Sequence, residues 1–193
     1  MRSIIGFPSE LVKRKVIPYL DEHCTDFISK SPFLVISTSD DGGFCDVSPR
    51  GDAPGFVVVL DEKHLIIHER PGNRRIDSMR NILLNSRVGL LFIIPGMEET
   101  LRVNGRATLI HDEQLLEKMK VKERKPLIGI GVEVEECFIH CAKVFKRSKL
   151  WDTNSWMNKE MLPSASKMLS AHSQFRNKDV TRMLEESYTK RLY

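Results

Sequence analysis

Aromatic residues are scarce in this chain: nine Phe, three Tyr and two Trp make up 7 % of 193 residues. Single-stranded nucleic acid is held by aromatics interleaved along a basic face, whereas here most aromatics sit in apolar runs, so nucleic acid is not an expected partner. Charge of one sign is also missing. Thirty Lys and Arg stand against 26 Asp and Glu, a net charge of +4, which is a mixed surface that suits a small anion at least as well as a polyanion. The apolar run at 88–94 stops at Pro95, far short of the roughly 20 residues of a membrane span, and no membrane partner is expected. The first eight residues are too short for a secretory core and no small-residue cleavage site follows, so the expected compartment is the cytoplasm.

Cysteine is sparse as well. Cys24, Cys45, Cys137 and Cys141 in such a compartment read as reduced core thiols rather than a disulfide framework. The string Cys137-Phe138-Ile139-His140-Cys141 looks metal-binding until its spacing is considered. On a strand the two cysteines share a face about 13 Å apart while His140 points the other way, so they cannot ligate one ion together. No metal is expected. No internal repeat or low-complexity tract is present either.

What is present is a succession of short strands. Residues 9–30 read as helical around a break at Pro18, with Asp21 capping the second part. Residues 33–38 and 44–47 flank Asp40-Asp41-Gly42-Gly43 as a first hairpin, and 56–60 with 64–68 make a second. The intervening Ser48-Pro49-Arg50-Gly51-Asp52-Ala53-Pro54-Gly55 is too rich in Pro and Gly for a strand interior and is expected to be a shaped loop. Residues 87–94, 100–109, 127–134 and 137–145 read as further strands. The alternation at 100–109 puts Leu101, Val103, Gly105, Ala107 and Leu109 on one face and Arg102, Asn104, Arg106 and Thr108 on the other; this polar row is either solvated or lines a groove. A short helix follows Asp112. Six or seven strands in hairpins, with one helix inserted midway, predict an α+β fold around an antiparallel barrel or sandwich. Beyond Trp151 the composition changes and two helices are expected, at 165–171 and 179–192. The second carries Val180, Met183, Leu184, Ser187, Tyr188 and Arg191 on one face.

The stretch around which these elements are arranged is His68-Glu69-Arg70-Pro71-Gly72-Asn73-Arg74-Arg75-Ile76-Asp77. Pro71-Gly72 breaks the preceding strand, Asn73 is a natural N-cap, and Arg74 and Arg75 then fall in the first turn of a helix. A helix N-terminus carries about +0.5 charge and unpaired N–H groups, which makes two arginines there unfavourable unless an anion joins them. A phosphate would accept from both the N–H groups and the guanidinium forks. The alternative is an exposed helix start whose arginines pair with Asp77 or Glu69.

Four strings together, Ser48-Pro49-Arg50-Gly51-Asp52, Gly72-Asn73-Arg74-Arg75, Thr100-Leu101-Arg102-Val103-Asn104-Gly105-Arg106-Ala107, and His140-Cys141-Ala142-Lys143 with Arg147-Ser148-Lys149-Leu150-Trp151, resemble the pyridoxamine 5′-phosphate oxidase-like FMN-binding split-barrel family. The resemblance covers roughly residues 31–151. It implies an FMN-binding split β-barrel domain at 1–151, a C-terminal helical extension at 152–193, and a homodimer holding FMN in two clefts between subunits. It implies further that Asn73, Arg74 and Arg75 hold the flavin phosphate. Ser48 and Arg50 would approach the flavin's polar edge or phosphate, with Arg102 and Asn104 facing it. Lys143, Arg147, Ser148 and Trp151 would close the cleft from the partner subunit, Trp151 either stacking on a flat ring or anchoring the interface.

Such a protein would be an oxidoreductase acting on a small substrate, for which no side chain stands out as general acid or base. Strand 56–60 lacks the Arg and Lys that the oxidase carries there, which argues against vitamin B6 oxidation itself. On the same barrel the alternatives are a non-enzymatic flavin or haem carrier, with His64, His68, His111 or His140 as axial ligand, or a protein using a deazaflavin.

Overall fold

The computed structural model of the chain describes residues 1–121 and 123–191. These divide into two compact units. One comprises Met1–Arg70 and Arg75–Trp151, the other Pro71–Arg74 and the described residues from Asp152 onward.

The first unit begins with three helices, α1 (Arg2–Ile5), α2 (Glu10–Arg14) and α3 (Glu22–Lys30). Ser9 and Asp21 cap α2 and α3 by accepting from Val12 and Cys24 N–H. There follow β1 (Phe33–Ser39), β2 (Cys45–Gly51), β3 (Val57–Val59), β4 (His64–His68), α4 (Asp77–Leu84), β5 (Arg87–Ile93), β6 (Thr100–Ile110), α5 (Glu113–Glu117), β7 (Gly129–His140) and α6 (Lys143–Ser148). All seven strands form one antiparallel sheet in the order β2-β1-β5-β6-β7-β4-β3. The end strands β2 and β3 do not pair with each other, so the sheet curls without closing: a split barrel with added helices.

Two expectations are corrected here. Residues 48–51 are strand, not loop, and pair with 33–36 of β1. Pro49 is tolerated because β2 is an edge strand, where one ladder donor can be missing. Likewise 127–134 and 137–145 are not two strands. One 12-residue strand, β7, runs through both, and the chain turns into α6 at Lys143. A bulge at Asn104/Gly105 leaves Glu135 unpaired in the register, and its carboxylate takes Arg87 and Arg106. Gly105 is required there, because a Cβ would collide with the Glu133 carbonyl.

The alternating strands bury Leu34, Ile36, Leu65, Ile67, Leu90, Phe92, Val103, Ile130 and Val132 in one core. Each such side chain contributes about 1.5–3 kcal/mol. Helix α3 adds Phe27 and Ile28 to this core and packs on β3 and β6, while α4 packs on β1, β2 and β6. The segment before α3 is stitched to the sheet by paired hydrogen bonds between Ile17 and Cys137. Cys24 and Cys137 are buried with their sulfurs 3.4 Å apart, and all four cysteines are free. The hydrogen bond to Cys24, together with burial, pushes the Cys137 thiol up.

In the second unit, α7 (Ala165–Ser173), capped by Ser164, packs on α8 (Asn177–Lys190). Leu192, where the second C-terminal helix was expected to end, lies outside the described residues. No described helix is long and apolar enough to cross a membrane.

Candidate functional site

The stretch between β4 and α4 does not fold as the caps predict. Helix α4 starts at Asp77, its N-cap is Ile76, and Arg74 and Arg75 precede the helix instead of lying in its first turn. The macrodipole explains the shift: Asp77 is the favourable charge for the first turn, and two cations are not. Asp77 accepts from Arg75 Nε at 2.7 Å, and this ion pair holds the Arg75 guanidinium above its ordinary range. Even so, the Arg75 side chain is 71 % exposed. No side chain caps α4, and the backbone enters it through left-handed residues, Arg74 at φ 60° and Ile76 at φ 55°. A β-branched residue there is strained, and such strain collects at ligand-binding turns. Asn73 and Arg74 belong to the second unit, Arg75 to the first.

Ser48 and Arg50 lie two residues apart on β2. Their cross-strand neighbours Ile36 and Leu34 are core residues, so both side chains leave the core face of the sheet near its edge. Arg50 donates to Glu69 at 2.8 Å and to Ser48 Oγ at 2.5 Å, with only 14 % of its side chain exposed. Beside it a second pair crosses the same two segments in the reverse sense, Arg70 to Asp52 at 3.1 Å. Arg70 also donates to the carbonyls of Met119 and Arg124. Between these pairs sits His68, 3 % exposed, edge-on to Phe56 and 3.4 Å from Asp52, with neither ring nitrogen hydrogen-bonded. Burial, reinforced by Arg70, pushes this imidazole down to about 4. A side chain so enclosed cannot serve as an axial haem ligand. Asn81 on α4, donating to Thr38 and Asp46, fixes the helix onto the β1–β2 hairpin.

Arg102 and Asn104 emerge on the other face. The cross-strand row Pro49, Val35, Leu91, Arg102, Phe138 runs over five strands, and partners in such a row share a side. Asn104 donates to Glu136 at 2.8 Å and accepts from Arg102 Nε at 3.1 Å. Within one chain, then, Arg50 and Arg102 lie on opposite faces of the sheet. The last expected group stands apart from both. Lys143 and Arg147 are exposed on α6, Ser148 donates to the Phe145 carbonyl, and Trp151 donates its indole N–H to the Met97 carbonyl at 2.8 Å while stacking on Phe145 at 5.8 Å. A groove of about 310 Å³ on β4, β6 and β7 is lined by Leu60, His64, Ile66, Arg106, Thr108 and Glu133 among others; it takes in Arg106 and Thr108 of the polar row on β6, but none of the residues expected to hold FMN. Among the described residues no group of His, Cys, Asp and Glu could hold a metal.

Sequence reasoning missed the two crossed ion pairs, although Arg50 and Asp52 at the end of β2 and Glu69 and Arg70 just after β4 are a readable match of opposite charges. It also missed the grouping of Lys15, Phe138 and His140 beside Arg102, for which the sequence carries no signal.

Residues 20–141 match the family model described as pyridoxamine 5′-phosphate oxidase. The chain belongs to this family. Two solved structures show its split-barrel fold. A candidate pyridoxamine 5′-phosphate oxidase from Lactobacillus delbrueckii is 23 % identical, with a TM-score of 0.50, covering 63 % of this chain and 95 % of that one. The H111A form of HupZ from Group A Streptococcus is 18 % identical, also at 0.50, covering 63 % and 99 %. A search of curated proteins gives no match. The residues matched to the pyridoxamine 5′-phosphate oxidase family take in the β2 edge, the turn into α4, the β6 row and all of β7; the helices beyond Trp151 lie outside the match.

Proposed function

We propose that this chain binds FMN through its phosphate at the start of α4 and acts as a cytoplasmic, FMN-dependent oxidoreductase on a small substrate. The observation that carries the reading is the entry into α4: the left-handed Ile76 leads into a helix with no side-chain cap, with an exposed arginine, Arg75, at its mouth. A phosphate there would accept from the first-turn N–H groups and from Arg75, offsetting the strain that Ile76 stores. Arg74 and Asn73, next in sequence, are the proposed further contributors.

When bound, FMN supplies the hydride chemistry at its ring, and the protein orients and charges the surroundings. Ser48 and Arg50 would present a cation held in place by Glu69. Arg102 and Asn104, on the opposite face of the same chain, would reach a flavin only in a cleft shared with a second copy, and Lys143, Arg147, Ser148 and Trp151 would close that cleft. A homodimer follows from this reading.

The test is the visible spectrum of purified protein, with mass analysis of the chromophore released by heat. FMN in the wild type and its loss in the Arg74→Ala/Arg75→Ala double variant, with the thermal midpoint kept, is the expected result. Unchanged flavin occupancy in the double variant would remove the phosphate assignment. A haem or deazaflavin mass would replace the cofactor, and flavin bound by a monomeric mass in light scattering would remove the shared cleft.

A further inference from the structure

On the outer face of the sheet, three basic side chains converge on a single ring. Lys15 Nζ lies 5.0 Å and Arg102 Cζ 5.4 Å from the centroid of Phe138, and the His140 ring centroid is 5.0 Å from it. They come from three separate places: the segment before the Ile17–Cys137 bridge, the start of β6 and the end of β7. Register explains the meeting, since Arg102 is directly opposite Phe138 on the neighbouring strand.

Neither Lys15 nor Arg102 makes an ion pair among the described residues. Lys15 donates to the Ile139 carbonyl at 2.6 Å. Arg102 gives its Nε to Asn104, whose amide passes the contact on to the Glu136 carboxylate. That arrangement fixes the guanidinium by one edge, and among the described residues no hydrogen bond takes its terminal N–H groups. The cations repel one another: burial, then Lys15, then Arg102 lower the His140 imidazole below its ordinary value. Elsewhere in this chain, arginines of the sheet meet carboxylates directly, as Arg87 and Arg106 meet Glu135. Like charges held together without a counter-charge are unfavourable in the free protein and become favourable when an anion sits among them.

We propose that Lys15, Arg102 and His140 form an oxyanion-binding subsite that takes the carboxylate or phosphate of a small organic substrate. Naming that ligand a substrate rests on the flavin reading above; the anion site itself does not. Arg102 offers a planar two-pronged donor, Lys15 a point charge on a flexible stem, and His140 a ring N–H, a set that suits an oxyanion with two or three oxygens.

The test is proton NMR of the full-length chain, following the His140 ring through a pH titration with and without inorganic phosphate, with ionic strength matched by chloride. Saturable phosphate binding that raises the His140 midpoint by about one unit is the expected result. Lys15→Met and Arg102→Gln should each weaken that binding about tenfold, the loss expected for a charge-assisted hydrogen bond, with urea midpoints within error of wild type. Arg102→Lys should recover part of it. A His140 midpoint indifferent to phosphate, or equally shifted in the Lys15→Met/Arg102→Gln double variant, would overturn the subsite.

Repeating the titration on FMN-loaded and riboflavin-loaded protein separates the sources of the anion. Phosphate binding retained beside FMN supports a substrate anion. Binding abolished by FMN but not by riboflavin would overturn that assignment in favour of the cofactor's own phosphate. Protein that takes up no flavin yet shows the His140 response would defeat the flavin reading alone, and flavin bound with His140 unmoved would defeat the subsite alone.

Discussion

Two sets of basic side chains occupy the barrel under opposite conditions. On the core side of the sheet edge, Arg50 and Arg70 are each buried against a carboxylate, Glu69 and Asp52, in two crossed pairs around His68. On the outer face, Arg102 shares a ring with Lys15 and His140 and reaches a carboxylate only through Asn104. A cation that is neutralised and enclosed holds backbone segments together. A cation set against other cations is held ready for something that is not part of the chain. Substitutions in the first set should therefore lower stability, and those in the second should cost ligand binding without doing so.

The sharpest way to break this comparison is Asp52→Asn, which leaves Arg70 buried without its counter-charge. A loss of about 3–5 kcal/mol in urea unfolding is expected, the cost of stripping one partner from a buried pair. Next comes pH. The unfolded His68 titrates near 6.5 and the folded one near 4, so between these values the unfolded chain binds more protons and stability rises with pH. The contribution is complete above about 6.5 and lost as pH falls toward 4, amounting to about 3 kcal/mol. His68→Leu should flatten the urea midpoint over that window. Glu69 runs the other way, because burial pushes its carboxyl up.

A smaller effect, about 2 kcal/mol, is expected for Glu69→Gln. The double variant Arg50→Met/Glu69→Met should cost less than that, as replacing both partners of an enclosed pair commonly does. Smallest of all, Arg102→Gln and Lys15→Met should stay within about 0.5 kcal/mol of wild type while each raises the His140 midpoint. A loss above 2 kcal/mol at Arg102 would make it a structural arginine like the first two, and the contrast would collapse.

The sequence was most legible where alternation was strict. β4 falls at 64–68 as read, and the inward and outward residues of β6 are those the period of two assigns, because one face of that strand is core. The reading failed where long-range geometry overrides local chemistry. Ser48-Pro49-Arg50-Gly51 looks like loop until it is known to lie at an edge. Asn73 looks like a cap until the first-turn acid at Asp77 sets the start of α4. Of the candidate site, the residue types were readable but not their grouping. Nothing in the spacing says that Arg50 and Arg102 leave opposite faces, and the long stretch of chain between Lys15 and Arg102 hides a meeting that the Ile17–Cys137 bridge helps to bring about.

Pro49 has a consequence for how this protein behaves at high concentration. In an antiparallel strand the N–H and C=O of one residue point to the same side. The Pro49 carbonyl accepts from the Arg50 guanidinium at 2.9 Å rather than from β1, so the ring nitrogen, which carries no hydrogen, faces outward with it. An open sheet edge is a template on which further chains can add strand by strand into fibres. Here one rung of that template lacks its donor and has its acceptor already taken. Pro49→Val would restore the donor, and light scattering that grows with protein concentration would show the edge beginning to recruit its own kind.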